Sequence, residues 1–369
     1  MFSLFRPNYW FFVLLAYFAA QIGLRVTVQT RDFDAARGTP SFLYEWLHSL
    51  IATMPIPANI AVAVYSNIVL FLTFIAIFQA VRRFGRMDWA WVTTLSLFFI
   101  PQIVWVGQHS DGVVDLATLM AAASIWAFAW MLDQRNLVSY GLFGAITGLS
   151  ALTSISALLV PMVLLLATAT HSAGIKLLIN WRFFVTILVA VMWSAPVWGP
   201  ISGTAREIVA ALSDLTVSSM FANSGGLHII VQATLSFAGF LLVAVGLMFH
   251  QGLGALPRTD PSFLHFRQIL ARQVAIVFLA ALAWLTIAGP DALTFETMRP
   301  FLIVLVPLGG LYIAPLMSIH MREMTARGAV VIAVLILFAS PTQYSDTSGG
   351  FAAWYLELRA SEEARTPLL

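Results

Sequence analysis

The chain has 369 residues, of which 60% are hydrophobic and 10% charged, with a formal net charge of +2. A soluble domain carries roughly 25% charged residues, so no aqueous fold could bury this much apolar surface. The chain has no cysteine, which excludes disulfides, thiolate metal sites and a cysteine nucleophile. Its arginines are spread through short connecting segments and form no nucleic-acid-binding patch.

The apolar runs are continuous and about 17–24 residues long, as helices crossing a hydrocarbon core of roughly 30 Å require, and lack the alternation of a membrane β-barrel. The first run, 8–28, follows Arg6 as a signal peptide would, but it is long and has no small-residue cleavage site; a retained first helix is expected. The segment 29–58 is next, and there Phe42, Leu43, Trp46, Leu47 and Leu50 recur at helical spacing. That spacing predicts an amphipathic helix lying at the membrane surface. Further spans are expected at about 61–80, 89–106, 116–132, 183–203, 227–250, 273–289, 301–318 and 328–341.

The run 140–170 is too long for one ordinary span, about 46 Å at the helical rise. Charge parity decides how to divide it. With a break at 150–156 the chain has eleven spans, and one side collects Arg6, Arg82, Arg83, Arg86, Arg135, Lys176, Arg182, Arg258, Arg267, Arg272, Arg322 and Arg327, 12 of the 19 cations. The other side then holds 13 of the 17 acids. The positive-inside rule makes the first side cytoplasmic, so the N-terminus is expected inside and the C-terminus outside. Ser150, Thr153, Ser154 and Ser156 can satisfy the backbone groups that such a break loosens. The organisation expected is all-α: a membrane domain over 1–342 and a short non-cytoplasmic tail over 343–369, with no internal repeat of fixed period.

The candidate chemistry lies on the acidic side. Asp32 and Asp34, flanked by Arg31 and Arg37, could bind a divalent cation or supply a general base, and a solvated loop with local ion pairs is the plainer alternative. His109 and Asp111 in the second outer loop could form an acid–base or metal-binding pair, or a polar turn ahead of a helix begun near Asp115. Arg299 could meet a phosphate, or snorkel from a span boundary to the interface. Arg37, His109, Asp111 and Arg299 are therefore the candidate substrate contacts. The remaining histidines, including His171 and His265, lack metal-ligand spacing and are expected to be structural. Gly141, Gly144 and Gly148 have the small-residue spacing of a close helix contact. No P-loop, dinucleotide fingerprint, nucleophile elbow or zincin motif is present.

Four segments in chain order carry a family resemblance. They are the acidic first loop leading into Gly38-Thr39-Pro40-Ser41-Phe42-Leu43-Tyr44-Glu45-Trp46-Leu47; the stretch Ile100-Pro101-Gln102-Ile103-Val104-Trp105-Val106-Gly107-Gln108-His109-Ser110-Asp111; the run Tyr140 to Ser154; and Phe295-Glu296-Thr297-Met298-Arg299-Pro300-Phe301-Leu302. Together they resemble the membrane region of the polyprenyl-phosphate-sugar-dependent glycosyltransferases of the GT-C fold, especially family 39, the dolichyl-phosphate-mannose–protein mannosyltransferase family. The resemblance covers about 20–160 and a patch near 300.

The resemblance implies a GT-C-like fold and inverting sugar transfer from a polyprenyl phosphate carrier at the outer face of a bacterial cytoplasmic (inner) membrane. It implies that Asp34 or Asp32 activates the acceptor hydroxyl, that Arg299 contacts phosphate, and that Asp111 shapes the site; cationic groups or a metal would stabilise the departing phosphate. The chain departs from the pattern in two places. Asp32-Phe33-Asp34 stands where the family has adjacent Asp-Glu, and Thr153-Ser154-Ile155-Ser156 supplies no cation where the family often has Ser-Lys. A second reading is therefore a noncatalytic membrane subunit with a membrane protein partner. A third, transport, is disfavoured because the charges cluster at span ends and no inverted repeat is evident.

Overall fold

The computed structural model describes residues 7–28, 41–53, 57–104, 112–197, 261–288 and 295–339, with five further positions between 230 and 237. All regular structure among the described residues is helical. Four described helices are individually long and apolar enough to cross a membrane: α1 (Pro7–Val28), α3 (Ala58–Arg82), α6 (Gly112–Gln134) and α11 (Pro261–Ala288). The remainder are shorter or broken. Most of the expected 227–250 span and the 343–369 tail lie outside the described residues.

The amphipathic helix expected within 29–58 is α2 (Phe42–Ala52), capped by Ser41, whose Oγ accepts from the Tyr44 N–H at 3.2 Å. Its Leu43, Tyr44 and Leu47 pack with Val69, Leu116, Leu119 and Leu152, while Phe42, Trp46 and Leu50 stay exposed. The helix thus seals the ends of its neighbours with one face and offers the other to the membrane surface.

The crossing expected at 89–106 is built in pieces: α4 (Met87–Leu95), a 3-10 turn (Ser96–Phe99) and the single-turn α5 (Pro101–Val104). Thr93 and Thr94 donate their hydroxyls to the carbonyls of Trp89 and Ala90, and Ser96 to that of Thr93. Such back-bonding bends helices. Ile100 is then extended, at φ −104° and ψ 102°, as a residue before proline prefers to be. The turn's Phe98 lies 4.8 Å from Tyr17 and 5.1 Å from Phe74, ring to ring, so the interruption is filled by aromatic side chains of α1 and α3.

The long run does break. Helix α7 (Leu137–Thr153) and α8 (Ile155–Ala169) meet at Ser154, extended at φ −171° and ψ 164°, whose Oγ accepts from the Ala157 N–H at 3.1 Å. Thr153 and Ser150 donate back to the carbonyls of Leu149 and Ile146 inside α7, so it is Ser154 whose hydroxyl satisfies a backbone group freed at the break. The register of α7 against α10 (Phe183–Ser194) shows that α8 turns back. Tyr140 O accepts from Thr186, Gly144 abuts Thr186, and Gly148 abuts Ala190 and Trp193. Both sequences advance in the same direction along the contact, so α7 and α10 are parallel and α8 is the return between them. Gly144 and Gly148 act as expected, and Gly141 does not approach its neighbour closely: a Cβ on Gly144 would sit 2.5 Å from the Thr186 carbonyl oxygen, a contact only a glycine permits, whereas one on Gly141 would be 3.9 Å from Val185.

After α8 the chain bends by 118° into α9 (Ser172–Leu178). His171 caps α9, with Nδ1 accepting from the Ala173 N–H, and its Nε2 meets Gln268 Oε1 at 2.8 Å. Its ring lies 5.2 Å from that of His265 on α11. Both histidines are thus helix-joining residues, as expected.

Helix α11 begins a dozen residues before the expected 273, because its polar first turns are accommodated by protein. Gln268 joins His171, Arg272 donates to the Thr170 carbonyl, and the Arg267 guanidinium lies 4.2 Å from the Tyr312 ring centre. The expected 301–318 span is divided into α12 (Phe295–Leu302) and α13 (Leu305–Ile313), and the last described helix is α14 (Ile319–Ala339). Near the start of α14, Arg322 pairs with Asp88 of α4 and donates to the carbonyls of Ala314 and Met317. This buried clamp fixes the end of the bundle that also carries Arg82, Arg83, Arg135, Lys176 and Arg182, the basic end.

Candidate functional site at the end of the bundle opposite the basic end

At the opposite end stand the described helix ends that flank 29–40 and 105–111, the segments with Asp32, Asp34 and Asp111. Helix α6 starts at Gly112, and Asp115 stands in its first turn, where unpaired N–H groups and the helix dipole favour a carboxylate. Asp115 is fully buried and forms an ion pair with Arg299 of α12, itself 1% exposed. Arg299 Nε also donates to Thr118 Oγ1 at 3.1 Å, one turn further along α6, and Nη1 donates to the Gln102 carbonyl at 3.0 Å. That carbonyl belongs to the single-turn α5, whose C=O groups need donors from outside their own helix. One guanidinium thus joins α5, α6 and α12, and its fixed fork of donors suits it to hold several acceptors at once.

A second contact ties the described flanks of the segments 29–40 and 105–111. The Tyr44 ring of α2 lies so close to Gly112 that a Cβ there would be 2.5 Å from Tyr44 Cε2. Tyr65 of α3 donates its hydroxyl to the Gly112 carbonyl at 3.3 Å, and the Tyr44 and Tyr65 rings meet edge to face at 5.6 Å. The helix following the first loop and the helix following the second are therefore packed at one point.

Of the candidate residues from the sequence, Arg299 is described and is engaged with protein groups. Asp32, Asp34, Arg37, His109 and Asp111 lie outside the described residues. Two buried polar groups at this end were not singled out from the sequence as chemistry. Asp115 reads there as a helix-start residue, and Arg25, in the last turn of α1 and 1% exposed, falls inside an apolar run. The available signal for Arg25 was its charge within a span, since an ionisable residue in that position is rarely incidental. Among the described residues no group of three or more His, Asp or Glu side chains is arranged to hold a metal ion.

No family model matches the chain. It is 24% identical over 308 residues to the lipopolysaccharide core galacturonosyltransferase RgtB of Rhizobium johnstonii, covering 78% of this chain and 61% of that protein. It is 26% identical over 204 residues to the lipopolysaccharide core galacturonosyltransferase RgtA of the same organism, covering 50% of this chain and 40% of that protein. The chain thus spans less than two thirds of the length of either relative. Its fold is similar to that of ArnT from Cupriavidus metallidurans in the apo state, with a TM-score of 0.51 at 14% identity over 90% of this chain and 61% of that one. With its helical bundle, apolar spans and surface helix, the chain is a polytopic membrane protein that has the GT-C fold of membrane glycosyltransferases.

Proposed function

We propose that the chain moves a sugar from a polyprenyl phosphate carrier to an acceptor at the outer face of a bacterial cytoplasmic membrane, with its N-terminus inside. The observation that carries this reading is the knot of Asp115, Thr118, Gln102 and Arg299 at the head of α6, beside the Tyr44–Gly112 contact that joins the flanks of the two acidic loops. A fixed, largely pre-formed scaffold beside the segments that carry Asp32, Asp34 and Asp111 is what group transfer from a membrane-held donor needs. The names of the two relatives favour a galacturonosyl donor and a lipopolysaccharide core acceptor.

In this reading Asp34, or Asp32, accepts the proton of the acceptor hydroxyl as its oxygen attacks the anomeric carbon. The bond from that carbon to the phosphate oxygen breaks on the opposite face, and the polyprenyl phosphate departs with the bonding electrons, so the configuration inverts. Arg37, His109 and Asp111 contact the donor, and the positive charge of Arg37 offsets the negative charge of the departing phosphate. Arg299 is assigned a positioning role: its carboxylate partner and its burial fix α12 against α6, so it acts through the loops it supports. A divalent cation at the loop carboxylates is tested by adding a chelator to the assay.

The test is transfer by the purified protein in lipid nanodiscs from a panel of labelled polyprenyl phosphate sugars, galacturonosyl first, to lipopolysaccharide acceptors. The Asp34→Asn or Asp32→Asn variant is expected to lose about 10²-fold or more in rate. Full rates in both folded variants would remove the assigned base. Absence of transfer by a folded wild-type sample from any donor, with co-purification of a second membrane protein, would favour the subunit reading.

A further inference from the structure

At the basic end, away from Arg299, α3 and α6 finish side by side, and Gln79, Arg82, Arg83 and Asp133 line a concavity of about 340 Å³. Its charges do not cancel. Arg83 Nη1 pairs with Asp133 Oδ2 at 3.2 Å, and Gln134 donates to the same oxygen at 2.9 Å. Arg82 has no carboxylate partner among the described residues; its guanidinium lies 5.9 Å from the Phe78 ring centre. Two arginines and one aspartate leave the concavity with one uncompensated positive charge.

The position of the cavity narrows the anion that would fill it. The α3 span ends at Arg82 and the α6 span at Gln134, so the lining sits where both helices leave the apolar layer. Beneath it, the Arg83 guanidinium lies 5.0 Å from the Trp130 ring centre, and Trp130 and Trp126 are 5.9 Å apart, both partly exposed. Tryptophans at this level occupy the interface between headgroups and acyl chains. The two rings form a wall running from the arginines into the apolar layer, and a free anion would leave that wall without use.

We propose that this concavity binds the phosphodiester of an anionic membrane phospholipid, with Arg82 and Arg83 on the phosphate and an acyl chain along Trp130 and Trp126. Basic recesses between helices on a cytoplasmic face are suited to such headgroups. A singly charged phosphodiester neutralises the cavity's surplus, and the cation–π and ion-pair contacts hold Arg83 in place before the lipid arrives. The site stands at the opposite end of the bundle from the proposed sugar-transfer site and does not depend on that activity.

Native mass spectrometry of the full chain in uncharged detergent, titrated with dioleoyl phosphatidylglycerol, tests this. One phosphatidylglycerol should be retained preferentially, with affinity falling about fivefold in Arg82→Gln and further in the Arg82→Gln/Arg83→Gln double variant, while Arg82→Lys keeps most of it. Phosphatidylcholine should bind more weakly, because its ammonium group meets Arg82. Melting temperature in detergent serves as the fold control; if the double variant does not fold, Arg82→Gln, which breaks no ion pair, decides alone. Equal retention by wild type and Arg82→Gln would overturn the site. Equal binding of the two lipids, or displacement of phosphatidylglycerol by millimolar inorganic phosphate, would overturn its assignment to an anionic lipid.

Discussion

Asp115 and Arg299, 184 positions apart in sequence, form an ion pair in which neither side chain is more than 1% exposed. A pair buried this deeply is costly to desolvate, and removing either partner leaves an uncompensated charge in the core. Here the elements joined are α5, α6 and α12, all reaching the end of the bundle opposite the basic end.

Removing one partner should therefore cost more than removing both. Arg299→Met or Asp115→Leu alone is expected to destabilise the protein by about 3–5 kcal/mol, because a buried charge is left behind. The double variant should recover a large part of that loss. Unfolding in mixed micelles monitored by circular dichroism measures all three. If the double variant recovers its fold but not its transfer rate, the positioning role of Arg299 is separated from its contribution to stability.

The Tyr44–Gly112 contact makes a steric prediction. Gly112→Ala puts a methyl group 2.5 Å from the tyrosine ring, and overpacking of that kind costs about 1–3 kcal/mol. Helix α2 should lift, which a faster reaction of a cysteine introduced at Leu47 with maleimide would report. Because the chain has no native cysteine, the background is clean. Tyr44→Leu in the Gly112→Ala protein should slow that labelling again.

Gly144 is more constrained, since its would-be Cβ meets the Thr186 backbone, which cannot rotate aside. Gly144→Val is expected to separate α7 from α10 at a cost of about 1–3 kcal/mol or more. Gly141, whose would-be Cβ has its nearest neighbour at 3.9 Å, should tolerate alanine. A comparison of melting temperatures for Gly144→Val and Gly141→Ala checks both.

The orientation expected from the cation distribution is open to direct measurement. His48→Cys, exposed on α2 and turned away from Phe42 and Trp46, should react with a membrane-impermeant maleimide in intact cells, and Lys176→Cys on α9 only after permeabilisation. The reverse pattern would invert the topology and move the acidic loops to the cytoplasm.

The sequence by itself determined the membrane class, the surface helix α2, the break near Ser154 and the close glycine contact. Each rests on hydropathy or spacing among near neighbours, which the chain carries wherever it goes. Span limits were less legible: α11 and α14 begin well before the expected 273 and 328, because the hydropathy pattern rejects the polar residues of their first turns. The folded protein accepts those residues by pairing them, Gln268 with His171 and Arg322 with Asp88. Only the tertiary structure decided that α7 runs parallel to α10, that Tyr44 meets Gly112, and that Asp115 meets Arg299. Those are contacts between distant positions, and their energy depends on the path of the chain between them, which no local pattern of residues encodes.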